Sequence, residues 1–274
     1  MNQIKFYKKE NSMLDSPIDI EKLKKLQFKV MQDVAAAAVV PLMRIGDQLG
    51  LFKKLSELGE VSSQKFADEA EVDERYLREW LHAISAAGFV SYNKEDKTFS
   101  LSPEQAAVFA HEEGPANMIG AYDVLTGAVH NEKDVLKAFK TGEGVPYEDA
   151  CPICFQGTAR FFKPSYQANL IKKWLPLIEG FEEKMKSGGS FADIGCGHGL
   201  STLMIADAFP SGKVAGFDIH GPSIDQAKNL AKDANLLDQI EYGVADAKSY
   251  EGSYDYIAFF DCLHDMGDPV GAAK

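Results

Sequence analysis

The chain has 274 residues, with 41 Asp and Glu against 29 Lys and Arg, for a formal net charge of −12. That length suits one large domain or two modest ones, and 45% apolar with 26% charged content excludes a disordered or fibrous chain. The charge argues against a protein built to grip phosphate backbones, which needs a basic face. Four cysteines cannot staple a chain this long, which points to a reducing, cytoplasmic setting. The longest apolar run, Val34 to Met43, is shorter than the ~20 residues of a spanning helix. The N-terminus, with Lys5, Lys8, Lys9 and Glu10, lacks the apolar segment of a signal, so no membrane partner is expected.

Residues 1–17 are polar, end at Pro17 and read as a flexible arm. Beyond them Ile20, Leu23, Leu26, Val30 and Val34 recur near the helical period, and the pattern continues through the alanine-rich stretch to Leu49. Small residues let helices approach closely, so this segment is either a subunit contact or a buried domain helix.

The stretch 41–102 reads as a winged helix-turn-helix, which with the preceding helix makes a mostly helical domain over 18–102. Ser62 or Ser63 caps a short helix carrying Phe66 and Ala67, and Asp73 opens a second whose apolar side is Leu77, Trp80, Leu81 and Ile84. After Gly88, two alternating runs at 89–92 and 98–101 form the wing. Charge decides its use. Eight basic against eleven acidic residues leave this stretch at −3, and the would-be recognition helix starts Asp73-Glu74, where phosphates would have to approach. Packing and dimerisation suit it better than DNA.

Residues 103–189 read as a mostly helical connector, broken at 141–147 and again around Lys163-Pro164. Leu170, Ile171, Trp174, Leu175 and Ile178 mark its last helix. From 190 to 274 strands alternate with helices: 190–194, 213–218, 239–245 and 254–260 are the strands, predicted to lie in the order 3-2-1-4. The fold class is therefore α/β, a helical winged-helix domain followed by a Rossmann-like parallel sheet. Ligands of such a sheet gather at the strands' carboxyl ends.

The turn after the first of these strands is Gly195-Cys196-Gly197-His198-Gly199. A dinucleotide fingerprint would need glycine at 200, which is Leu200. An acid, Asp193, precedes the turn instead, which suits a ligand bearing an amino group better than a pyrophosphate. Asp218, 25 residues on at the end of the second strand, is placed for two ribose hydroxyls, and Asp246 at the end of the third for an adenine amino group. Three acids and three glycines on successive strand ends describe a pocket for S-adenosylmethionine.

On these residues the sequence resembles the class I S-adenosylmethionine-dependent methyltransferases. More narrowly, it is similar to the small-molecule O-methyltransferase type with an N-terminal winged helix. It shares Gly144-Val145-Pro146-Tyr147 and Leu263-His264-Asp265-Met266 with methyltransferase-domain proteins of that kind. The likeness spans about residues 30–274. It implies that Asp193, Gly195, Gly197 and Gly199 line the methionine part of the cofactor, Asp218 holds the ribose, and Asp246 with Ala247 the adenine. Cys196, Ile219 and Asp261 complete the implied cofactor set.

The resemblance also implies a general base. His264 matches the histidine that serves these enzymes, and an imidazole exchanges protons near neutral pH. A structural hydrogen bond at a strand end is the alternative role. Met266 stands where those enzymes often have tryptophan, which bears on the shape of the acceptor pocket. Tyr147, Arg160, Phe162 and Tyr166 are candidates for the acceptor wall, or else core side chains. His198 and His220 read as packing residues beside the cofactor loops. Cys151-Pro152-Ile153-Cys154 has redox or zinc spacing, but two further zinc ligands are missing nearby, so the pair reads as structural or incidental and no metal is expected.

The expected function is methyl transfer to a small-molecule acceptor, with a hydroxyl favoured and the chain a homodimer through its N-terminal helices. The alternative is a non-catalytic regulator using the winged helix for protein contacts. A nucleic-acid methyltransferase is disfavoured by the charge. Only four strands of the seven-stranded family sheet are accounted for before Lys274, so the sheet is expected to be truncated after its fourth strand.

Overall fold

Asp19 starts the first helix, its carboxylate accepting the backbone N–H groups of Glu21 at 3.0 Å and Lys22 at 3.2 Å. The computed structural model describes residues 18–274, and in it α1 spans Ile20–Gln48. The chain forms two compact units divided between Val40 and Pro41. In the first, exposed ion pairs Lys24–Glu21 and Lys29–Asp33 accompany Leu26, Phe28, Met31 and Val34, each more than half exposed. The apolar run taken alone is short. The whole of α1, however, is long and apolar enough to cross a membrane by length and composition, because a helix adds its apolar residues over both sides of the run. That corrects the expectation that no segment qualifies.

The second unit opens with α2 (Leu51–Leu58), β1 (Val61–Ser62), α3 (Ser63–Ala70) and α4 (Glu74–Ala86). A small antiparallel sheet in the order β1-β3-β2 follows, with β2 at Ser91–Asn93 and β3 at Thr98–Ser100. Ser62 caps α3 and Asp73 caps α4, each side chain accepting an N–H three residues on. Leu77, Trp80, Leu81 and Ile84 are the buried face of α4, spaced at three and four. Trp80 packs edge-on to Phe52 and donates its indole N–H to the Leu42 carbonyl at 2.8 Å, so its one polar atom is satisfied inside. This is a winged helix-turn-helix.

Next come α5 (Pro103–Phe109), α6 (Gly120–His130), α7 (Glu132–Thr141) and α8 (Pro152–Asn169). The expected break at Pro164 is absent: α8 runs through it. A buried proline costs the helix one hydrogen bond, but α8 is held along its length by α6. That packing is close enough that a Cβ on Gly127 would come within 2.8 Å of the Cys154 Cβ. The irregularity comes later. The helix expected over 170–178 is a π-helical turn, Leu170–Trp174, followed by a 3-10 turn, Leu175–Leu177, with Pro176 unable to continue an α-helical ladder.

After α9 (Phe181–Lys186), β4 (Ser190–Ile194), α10 (Leu200–Ala208), β5 (Lys213–Asp218), α11 (Gly221–Asp233), β6 (Ile240–Val244), β7 (Tyr256–Ala258) and α12 (Pro269–Ala272) complete the described chain. The four strands form a parallel sheet in the order β6-β5-β4-β7. Phe191, Val214, Ile240 and Tyr242 enter the core on one face, with Phe181, Ile205 and Ile224 against them. Ala192, Ile194, Ala215 and Phe217 are buried on the other. Apolar residues on both faces are what a covered parallel strand requires. The sheet aligns the carboxyl ends of β4, β5, β6 and β7 along one edge.

Candidate cofactor and acceptor site

The glycine turn is fastened at that edge by backbone bonds. The N–H groups of Gly195 and Cys196 both donate to the Phe217 carbonyl, at 2.7 and 3.0 Å. Gly195 has φ 74°, and a Cβ there would lie 2.6 Å from Cys262 Sγ. Gly199, with φ 71°, is the N-cap of α10; a Cβ there would meet the Tyr242 hydroxyl at 2.7 Å and Ala227. Both positions exclude a side chain on conformation and on space.

Asp193, at the end of β4, is fully buried. Its Oδ2 accepts the hydroxyls of Ser201 at 2.6 Å and Thr202 at 2.7 Å, in the first turn of α10. Its Oδ1 is buried with no partner among the described residues. Burial pushes this carboxyl up to about 6, opposed by the two hydroxyl bonds. A buried carboxylate oxygen left without a donor is costly in an isolated chain. It suits a ligand that brings a cationic N–H.

Asp218 fastens two loops at once, its Oδ2 accepting the Gly197 N–H and its Oδ1 the His220 N–H, both at 2.8 Å. The expected ribose contact therefore falls to the remaining lone pairs of a side chain that is already positioned. Ile219 beside it is half exposed. Asp246 sits in an exposed turn, accepting the Lys248 N–H at 2.8 Å, and Ala247 packs against the sheet. Asp261 adopts φ 56°, a left-handed conformation unusual for a residue with a side chain. The next residue, Cys262, donates its thiol to the Ile194 carbonyl at 3.0 Å, tying the β7 loop to the end of β4. Burial and the neighbouring carboxylates push that thiol up to about 12.

His264 lies in an open recess with Phe259, Asp261, Cys262, Leu263 and Pro269. Its Nε2 is 3.3 Å from Asp265 Oδ1 and its Nδ1 is 3.8 Å from Asp261 Oδ1. Two tyrosines reach the same edge. Tyr147 is edge-on to Phe155, which stacks on the His220 ring at 4.0 Å and 12°. Burial, with Asp218 and Asp265 nearby, raises the Tyr147 pKa. Tyr166 contacts Phe260 and stacks on Phe162; burial and the proximity of Asp193 and Asp261 raise its pKa too.

Arg160 is placed differently. Its guanidinium is spent on Asp47 (2.8 and 3.0 Å), Asp123 (2.8 Å) and Glu112 (3.0 Å), while Arg44 Nε holds the other oxygen of Asp123 at 3.0 Å. Sequence reasoning missed Asp123, Arg44 and Asp47, whose partners lie 37 to 113 residues away along the chain. It also missed Ser201 and Thr202, although two adjacent hydroxyls in the first turn after the last glycine were a usable signal. Among the described residues no group of three His, Cys, Asp or Glu side chains could hold a metal.

Residues 35–111 match the Rv2258c-like winged HTH domain family, and residues 191–273 match the methyltransferase domain family. Among solved structures, the chain is similar to the mitomycin 7-O-methyltransferase MmcR, with 16% identity over 92% of this chain and 76% of that one, at a TM-score of 0.64. It is also similar to PigF with SAH, at 17% identity, 90% and 73% coverage and a TM-score of 0.61. An O-methyltransferase family protein from Burkholderia thailandensis gives 12% identity, 91% and 72% coverage and a TM-score of 0.60. No curated protein sequence matches. At these identities the structural likeness is one of fold. The chain has the fold of these methyltransferases, its residues 191–273 matching a methyltransferase domain. An Rv2258c-like winged-helix domain precedes that domain.

Proposed function

We propose that this chain transfers the methyl group of S-adenosylmethionine to a hydroxyl of a small molecule. The observation that carries the reading is the buried, unpartnered Asp193 Oδ1 beside a turn whose glycines exclude side chains. Asp193 would take the cofactor's ammonium, with Gly195, Cys196, Gly197 and Gly199 along its methionine part. Asp218 would hold the ribose with Ile219 beside it, Asp246 and Ala247 the adenine, and Asp261 would close the cleft. The cofactor supplies an electrophilic methyl on a sulfonium; the protein supplies alignment and proton removal. His264, with Nε2 3.3 Å from Asp265 Oδ1 and Nδ1 3.8 Å from Asp261 Oδ1, would accept the hydroxyl proton on a ring nitrogen. Asp261 and Asp265 would then face the imidazolium. Tyr147, Phe162 and Tyr166 would form the acceptor wall, whereas the commitment of Arg160 to carboxylates argues for a supporting role.

We read 18–102 as a dimerisation domain, 103–189 as the acceptor cover and 190–274 as the cofactor domain, in a cytoplasmic enzyme. The exposed apolar residues of α1 support self-association through the N-terminal helices. Light scattering tests this, a monomeric mass at micromolar concentration being the contrary result. For the chemistry, a panel of hydroxyl compounds is assayed for methyl transfer with wild type and His264→Ala. Transfer by wild type, and its loss in the variant, is the expected outcome. Cofactor binding without transfer to any acceptor would favour the regulatory alternative, and full activity in His264→Ala would remove the base assignment.

A further inference from the structure

Cys151 and Cys154 differ from the other two cysteines. Cys196 is buried, with its pKa raised well above the usual thiol range, and Cys262 is hydrogen-bonded and raised likewise. Cys151 and Cys154 are half-buried, as Cys262 is, and burial raises the Cys154 pKa too; what sets them apart is that they lie one turn from each other. Cys151 is the N-cap of α8 and Cys154 lies three residues on; the Cys154 N–H donates to the Cys151 carbonyl at 2.7 Å, closing the turn between them. A Cys-x-x-Cys pair at the start of a helix sets its two side chains across one turn, the arrangement of dithiol–disulfide motifs. Asn131 holds the Cys151 N–H at 3.2 Å, fixing the start of the turn.

We propose that Cys151 and Cys154 form a reversible dithiol–disulfide pair whose oxidation loosens the cofactor cleft. The oxidant is a low-molecular-weight disulfide such as glutathione disulfide. The Cys151 thiolate attacks one of its sulfurs and releases one glutathione; the Cys154 thiolate then attacks the mixed disulfide and releases the second. Two protein thiols lose two electrons and two protons, and one glutathione disulfide becomes two thiols. The bond pulls on Cys154 in the first turn of α8, where the helix packs closely against Gly127 of α6. Phe155, the next residue, stacks on His220, whose N–H is held by Asp218. Strain in the first turn of α8 thus reaches the acid expected to hold the ribose.

The full chain is equilibrated in buffers of graded glutathione to glutathione-disulfide ratio, and free thiols are located by alkylation and mass spectrometry. Wild type is expected to lose Cys151 and Cys154 together in one reversible step while Cys196 and Cys262 stay reduced. Cys151→Ser and Cys154→Ser each abolish the step. S-adenosylhomocysteine is expected to bind oxidised wild type about fivefold more weakly than reduced, at the low end of ordinary coupling between sites, and to bind both variants independently of the buffer ratio. Failure of the two thiols to titrate together, or oxidation of Cys196 or Cys262 in the same range, overturns the pair. A formed disulfide that leaves affinity unchanged overturns its link to the cleft. The thiol readout does not depend on methyl transfer, so it stands or falls apart from the proposed activity.

Discussion

Asp218 Oδ2 accepts the Gly197 N–H at 2.8 Å, so the acid at the end of β5 also sets the shape of the glycine turn after β4. Because its Oδ1 accepts the His220 N–H, Asp218→Asn must turn an amide N–H toward a backbone N–H in either orientation. One unsatisfied, opposed donor costs about 1–3 kcal/mol. Thermal unfolding is expected to show a lowered midpoint, with S-adenosylhomocysteine affinity falling in parallel. An unchanged midpoint would mean that Asp218 does not fasten the turn.

The raised carboxyl of Asp193 has a signed pH consequence. Its folded pKa, about 6, lies above its ordinary 3.8. The folded chain therefore holds a proton that the unfolded chain releases, and this group's contribution to stability falls as pH rises between those values. A cationic ligand favours the carboxylate, so cofactor affinity is expected to rise with pH through about 6 and then level off. Calorimetry across that range, in buffers of different ionisation heat, reads the proton released on binding. Asp193→Asn should flatten the profile.

Gly199→Ala combines two penalties. A left-handed conformation costs an alanine about 1–2 kcal/mol, and the new methyl meets Tyr242 and Ala227. Loss of stability together with loss of cofactor binding is expected, read by denaturant unfolding and calorimetry. Pairing it with Tyr242→Ala relieves the Tyr242 clash but neither the Ala227 contact nor the backbone strain, so recovery should be partial.

Arg160→Met leaves Asp47 without its partner and Asp123 with Arg44 alone. Breaking such a part-buried network is expected to destabilise the chain by about 3 kcal/mol, read as a lower unfolding midpoint. If Arg160 served an acceptor instead, KM would rise with the midpoint unchanged.

Local signals were legible in the sequence. Ser62 and Asp73 announce helices by their own hydrogen bonds, the spacing of Leu77, Trp80, Leu81 and Ile84 marks one face, and the glycine turn with its acids fixes where strands end. What escaped depends on distant partners. Pro164 reads as a break until α6 is known to brace α8. Arg160 reads as an acceptor residue until Asp47, 113 positions away, appears beside it. The stacking of Phe155 on His220 joins two segments with no common pattern. The π-helical turn at Leu170–Trp174 likewise has no local sign ahead of Pro176.

The most direct measurement is a calorimetric titration of the full chain with S-adenosylhomocysteine, in wild type and Asp218→Ala. Saturable binding of one ligand per chain is expected, weakened at least about tenfold in the variant, as loss of a charge-assisted contact requires. Absence of binding to the folded wild type, or equal affinity in the variant, would contradict it.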